Sequence, residues 1–178
     1  MATFADFEPL AAAGGALTTW DAAALGALEE PRKSQLCAII NRMGDESYRA
    51  QGLDAVLTTA EKLLSSDHRL YLMCDQRGAL GILKLATKHL FYVDSKGAYN
   101  EIDPLCVMDF YVSNECQRSG LGIQLFNAVV EAEAVPAKDL AYDRPSAKML
   151  PFLAKHFGLR DFIEQPNRFV VFNESALL

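Results

Sequence analysis

Leu105-Cys106-Val107-Met108-Asp109-Phe110-Tyr111-Val112, followed four residues on by Gln117-Arg118-Ser119-Gly120-Leu121-Gly122, is the stretch that decides the fold. The first eight residues are nearly all apolar, the pattern of a central strand buried on both faces. The next six open an amphipathic helix over Gly120 to Ala132, with Leu121, Leu125, Ala128, Val129 and Ala132 on its inward stripe. A helix start leaves backbone N–H groups without partners at the positive end of the helix dipole. Two glycines there let a ligand come close to the backbone, so a pyrophosphate fits. An ordinary strand-to-helix turn, eased by glycines, accounts for the same residues. Context narrows the choice. A P-loop needs Gly-Lys-Ser/Thr where this chain has Gly122-Ile123-Gln124, and a Rossmann fingerprint opens a parallel unit, whereas this loop follows a meander.

Upstream, Leu70–Cys74 and Ala79–Ala86 read as hairpin strands joined by Asp75-Gln76-Arg77-Gly78, and His89–Val93 reads as a third strand. Before them, Ser34 starts a helical pattern running to about Arg49, with Leu36, Ile39, Ile40 and Met43 on one face. A shorter helix is expected over Ala55–Ser65. Downstream come a short strand around Leu140–Tyr142, a helix over Lys148–His156 closed by Gly158, and a last strand at Arg168–Phe172. This order predicts an α/β fold whose mixed, mostly antiparallel central sheet carries helices on both faces. Residues 1–33, with acidic Asp6, Glu8, Asp21, Glu29 and Glu30, are expected as a loosely packed arm. Residues 34–174 form the expected domain and 175–178 a C-terminal end. Phe91, Phe110, Phe126, Phe152, Phe157 and Phe162 are expected in the core.

A length of 178 residues, 51% hydrophobic and 22% charged, suits one domain with a substantial core. No apolar run approaches the roughly 20 residues of a membrane span. Asp6 and Glu8 stand where a signal peptide would carry Lys or Arg, so neither membrane insertion nor secretion is expected. The net charge of −6 argues against non-specific nucleic-acid binding. Cys37, Cys74, Cys106 and Cys116 contain no CxxC pair, and His68, His89 and His156 are widely spaced, so no metal site is expected. Unpaired cysteines fit a reducing cytoplasm.

Gln-x-x-Gly-x-Gly after a meander, with another strand and helix beyond it, resembles the acetyl-CoA-binding motif of the GNAT acetyltransferase superfamily. Longer segments resemble, more specifically, the alpha-tubulin N-acetyltransferase family. They are Ala50-Gln51-Gly52-Leu53, the run Asn100 to Tyr111 with its Pro-Leu-Cys-x-x-Asp-Phe-Tyr motif, and Cys116 to Gly122. Leu140-Ala141-Tyr142-Asp143-Arg144-Pro145-Ser146 and Arg168-Phe169-Val170-Val171-Phe172 complete the set. The resemblance implies transfer of acetyl from acetyl-CoA, directly within a ternary complex, to an α-tubulin lysine facing the microtubule lumen. It implies a monomer acting on cytoplasmic microtubules, the ciliary or flagellar axoneme included. Cofactor contacts would come from Phe110, Tyr111, Val112, Gln117, Arg118, Ser119, Gly120, Leu121, Gly122 and Ile123, and from Ser146, Lys148 and Lys155. Carried over by position, Cys106 and Asp143 line the acetyl and lysine site, and Gln51 is needed for activity. Arg144, Arg168 and Phe169 are expected at the substrate edge. Three departures stand out. Ile123 replaces a basic residue, Arg168 stands where the pattern has Asn, and Pro151 falls within a helix whose first turns it should distort.

A lysine amine has a pKa of about 10.4, so removing its proton at cytosolic pH costs about 4 kcal/mol. A group that accepts that proton is therefore useful. Asp143 and Cys106 are the candidates, and which is the base stays open. A turn carboxylate before Pro145 and a small core cysteine are the plain alternatives. Two other functions also stay open: a catalytically silent GNAT-like module binding acyl-CoA or microtubules, and a GNAT acting on another amine.

Overall fold

A computed structural model describes residues 10–12, 15–75 and 78–173. The chain divides into two units, the first holding the residues up to Lys84 and Asp109–Val129, the second Leu85–Met108 and the residues from Val130 onward.

In the first unit, β1 (Leu10–Ala12), β2 (Gly15–Trp20) and β3 (Arg69–Asp75) run antiparallel, with Leu10 opposite Leu17 and Leu17 opposite Met73. Next in order come β4 (Gly78–Thr87) and β7 (Leu105–Val112), both of which continue into the second unit. The expected loose arm is corrected here. Residues 15–33 are built into the unit: β2 pairs with β3, and Leu17 and Leu25 are buried. Leu25 lies in the short helix α1 (Ala22–Gly26) and joins the same apolar cluster as Leu36 and Ile40. Burying each leucine stabilises by about 2 kcal/mol, and the acids do not oppose it. Glu29 and Glu30 are exposed, while Asp21 caps α1 by accepting the Ala24 N–H at 2.7 Å. Asp6 and Glu8, and the turn residues Gln76 and Arg77, lie outside the described residues.

The long helix α2 (Arg32–Gln51) buries Leu36, Ile40, Met43, Gly44 and Ser47, a stripe at three- and four-residue spacing. Gly52, at φ 62, ends it in the left-handed conformation. The next helix, α3 (Ala60–Leu64), is shorter than the expected span from Ala55. Thr59 caps it, its Oγ1 accepting the Lys62 N–H at 3.1 Å, and residues 55–59 form a loop. After β7, α4 (Leu121–Glu133) buries Leu121, Leu125, Phe126 and Val129, whereas Ala132 is exposed.

The second unit contains a hairpin of β5 (Leu90–Val93) and β6 (Tyr99–Ile102). The sequence reading passes over β6 because Tyr99, Asn100 and Glu101 are all exposed and show no apolar alternation. Phe91, expected in the core, is 53% exposed on the outward side of this hairpin, while Leu90 and Tyr92 point inward. β7 pairs in parallel with β8 (Ala141–Asp143), and β8 antiparallel with β9 (Phe169–Val170). The sheet is thus mixed and mostly antiparallel. Cys106, Ala141 and Val171 pack with Leu90 and Tyr92. The helix α5 (Met149–Phe157) runs without interruption to Gly158, at φ 72. Pro151 is its third residue, where a backbone N–H has no intrahelical partner in any case, so the expected distortion does not arise.

Candidate active site

In the first unit, the loop after β7 is held by its own side chains. Ser113 N–H donates to the Leu80 carbonyl at 2.8 Å, fastening the strand end to β4. Gln117 Nε2 donates to the Val112 carbonyl at 3.0 Å and to Asn114 Oδ1 at 2.9 Å, folding the loop back on the strand. Ser119 Oγ donates to the Cys116 carbonyl at 2.6 Å. Arg118 at φ 64 and Gly120 at φ 86 both occupy the left-handed region. That conformation costs a non-glycine residue about 1 kcal/mol, a strain that marks functional loops. A Cβ at Gly120 would meet nothing within 4 Å, so φ alone asks for glycine and the space above it is open. The first bond of α4 runs from Gln124 N–H to the Gly120 carbonyl at 3.1 Å. The N–H groups of Leu121, Gly122 and Ile123 therefore lie outside the helix ladder, at its positive end. Arg118, Ser119 and Gly120 are exposed. An anion finds here both backbone donors and a cation.

Of the neighbouring strand residues, Phe110 packs edge-on against Phe126, with centroids 5.6 Å apart. Tyr111 is buried in the core cluster of α2, so its side chain packs with that core. Burial, with Glu46 nearby, raises its phenol pKa.

Gln51, the last residue of α2, belongs to a polar cluster built on Asp109 of β7. Asp109 is 4% exposed and accepts from Ser47, Gln51 and Thr58. The sequence reading did not single it out. The signal was a carboxylate inside an otherwise apolar strand, which has to be paired if buried. Lys84 of β4, also buried, donates to the Leu57 carbonyl in the loop that carries Thr58.

The second unit brings together Asp143, Arg144, Arg168 and Phe169. Asp143 stands opposite Phe169 in the β8–β9 register. Arg144 Nε and Nη2 donate to the two Asp143 oxygens at 3.0 and 3.3 Å, and the Asp143 side chain is 8% exposed. Cys106, one strand over beside Ala141, is fully buried, and its Sγ donates to the Pro104 carbonyl at 3.4 Å. Burial pushes its pKa up to about 12, so the sulfur stays a neutral thiol near pH 7. Ser146 accepts the Met149 N–H at the start of α5. Lys148 and Lys155 are exposed, one at the start and one in the last turn of that helix. Among the described residues no cluster of His, Cys, Asp or Glu suits a metal ion, and no helix is long and apolar enough to cross a membrane.

Comparison with known proteins bears on this arrangement. The chain is 45% identical over 143 residues to the alpha-tubulin N-acetyltransferase of Tetrahymena thermophila, covering 80% of this chain and 36% of that protein. It is 43% identical over 152 residues to that of Leishmania braziliensis, covering 84% and 64%. With alpha-tubulin N-acetyltransferase 1 of Danio rerio the identity is 44% over 144 residues, covering 78% and 48%. The chain thus spans less than two thirds of the length of each of these relatives. Among solved structures, a mutant of the toxin AtaT bound to the antitoxin AtaR C-terminus and acetyl-CoA superposes with a TM-score of 0.55 at 12% identity, over 88% of this chain and 91% of that one. A GCN5-related N-acetyltransferase from Ralstonia eutropha gives 0.50 at 14%, over 85% and 96%. Those two likenesses are of fold. Residues 15–176 match the family described as GNAT acetyltransferase, Mec-17, and the chain belongs to that family.

Proposed function

We propose that this chain transfers the acetyl group of acetyl-CoA to a lysine of α-tubulin in microtubules. One observation carries the reading. The loop 117–122 stands fully formed at the start of α4 in a chain 45% identical to a named alpha-tubulin N-acetyltransferase. The toxin that shares the fold binds acetyl-CoA, which fits the same donor here.

Each residue then has a chemical task. The N–H groups of Leu121, Gly122 and Ile123 take the CoA pyrophosphate, and Arg118 adds positive charge in place of the basic residue that Ile123 lacks. The lysine nitrogen attacks the thioester carbonyl directly, forming the C–N bond as the C–S bond breaks and CoA leaves. Asp143 receives one amine proton, its carboxylate steadied by Arg144, and the second leaves on the CoA sulfur, which departs as the thiol. The Cys106 thiol, neutral at working pH, shapes the acetyl site rather than taking the proton. Arg144, Arg168 and Phe169 form the edge that meets tubulin. The chain acts as a monomer on cytoplasmic microtubules, those of the axoneme included, at a lysine facing the lumen.

Incubating the chain with acetyl-CoA and assembled microtubules, then mapping acetyl-lysine by mass spectrometry, tests this. Acetylation confined to an α-tubulin lysine is expected. Faster transfer to a polyamine would point to another amine, and binding of acetyl-CoA without any transfer would point to a silent module.

A further inference from the structure

Three polar side chains of the first unit, each more than 50 residues away in sequence, meet at one carboxylate. Ser47 Oγ donates to Asp109 Oδ1 at 2.8 Å, Gln51 Nε2 to the same oxygen at 3.2 Å, and Thr58 Oγ1 to Oδ2 at 2.6 Å. An ionised carboxylate only accepts, so it dictates the direction of every bond around it. The one hydroxyl hydrogen of Ser47 is committed to Asp109, which leaves the Ser47 oxygen as an acceptor. Gln51 Nε2 fills it at 2.7 Å. The Gln51 amide nitrogen, not its oxygen, thus faces both the hydroxyl and the carboxylate. Turning the amide over would set Gln51 Oε1 against a carboxylate oxygen, so charge fixes the orientation. What remains is Oε1, on a half-buried residue at the very end of α2, with no partner among the described residues. Such a group receives N–H donors and refuses carbonyls.

We propose that Asp109, with Ser47, is a positioning residue that locks the Gln51 amide so that Oε1 serves as the acceptor for an N–H donor of the acceptor substrate. This rests on the acetyltransferase reading above. Asp109 acts only through Gln51 and touches neither substrate.

Initial rates on microtubules are to be compared for the wild type, Asp109→Asn, Gln51→Ala and the double variant. Asn41→Ala is the stability control, because Asn41 Oδ1 fastens the same loop by accepting the Ala60 N–H at 2.8 Å without touching Asp109. In Asp109→Asn the new amide no longer dictates which way Gln51 faces. The kcat/KM for tubulin should fall about tenfold, the worth of one charge-assisted hydrogen bond. The KM for acetyl-CoA should hold. The double variant should be no slower than Gln51→Ala, since the loss passes through one side chain. Asn41→Ala should lose stability but keep kcat/KM. Nuclear magnetic resonance gives a readout that needs no turnover: the Gln51 side-chain NH2 signals should exchange slowly in the wild type and rapidly in Asp109→Asn. Losses that multiply in the double variant, or unchanged Gln51 signals in Asp109→Asn, overturn this proposal alone. A wild type with slowly exchanging Gln51 signals that binds acetyl-CoA yet transfers nothing overturns the acetyltransferase reading, and the proposal falls with it.

Discussion

Arg144 N–H donates to the Arg168 carbonyl at 3.1 Å, and both arginines hold left-handed backbones, at φ 41 and 63. The bond closes the β8–β9 pair just beyond the Asp143 and Phe169 partners, and Arg144 turns back onto Asp143 from there. Left-handed backbone costs a side chain such as arginine about 1 kcal/mol, less for asparagine. We expect Arg168→Asn to raise stability by a few tenths of a kcal/mol, up to about 0.5, because asparagine tolerates this conformation. Urea unfolding checks it, and a fall of more than about 1 kcal/mol would show that the arginine side chain holds the junction.

The pH dependence of the rate should identify the base. Cys106, pushed up to about 12 by burial, would give a limb rising only in strong alkali. We expect the wild-type rate on microtubules to carry its rising limb well below that alkaline range, the limb to vanish in Asp143→Asn, and Cys106→Ala to retain it. A limb that survives Asp143→Asn would exclude Asp143 as the base.

The same buried thiols govern alkaline stability. Cys74 and Cys106 both sit at about 12, against 9.0 for a free thiol. Above pH 9 the unfolded chain releases two thiol protons that the folded chain keeps, beside those of the raised phenols, so the folded state binds more protons and stability falls as pH rises. The loss should run from about pH 9 to 12 and be reduced in Cys74→Ala, compared as slopes of unfolding free energy against pH. Equal slopes in the two proteins would mean that Cys74 ionises as readily folded as unfolded.

At the cradle, Gly120→Val should weaken acetyl-CoA binding at least about tenfold while costing the fold only about 1 kcal/mol, the strain of a side chain at φ 86. Isothermal titration beside thermal unfolding separates the two effects. Native affinity in this variant would place the phosphates elsewhere.

Gly44 shows the opposite situation. A Cβ there would come within 1.7 Å of the Thr58 carbonyl oxygen and 2.8 Å of its carbon, both backbone atoms. Gly44→Ala must push α2 and the Thr58 loop apart and should destabilise by about 3 kcal/mol or more, read as the urea midpoint. A cost below about 1 kcal/mol would mean the loop yields freely.

What the sequence by itself determines here is local. The apolar run Leu105–Val112, the glycines at 120 and 122 and the apolar stripe of α4 lie within some two dozen consecutive residues. Strand, loop and helix start are therefore legible in the order of residues alone. Tertiary structure decided what depends on partners far along the chain. Leu17 and Leu25 leave the expected arm because β3 and α2 offer them an apolar surface. Pro151 proves harmless because the helix begins two residues before it. Asp109 looks like one charge in an apolar strand until Ser47, Gln51 and Thr58 arrive from 62, 58 and 51 residues away. A buried carboxylate is tolerable only when its lone pairs are filled, and no pattern of neighbouring residues states which donors will fill them. Only the packing of α2 and its following loop against β7 does that.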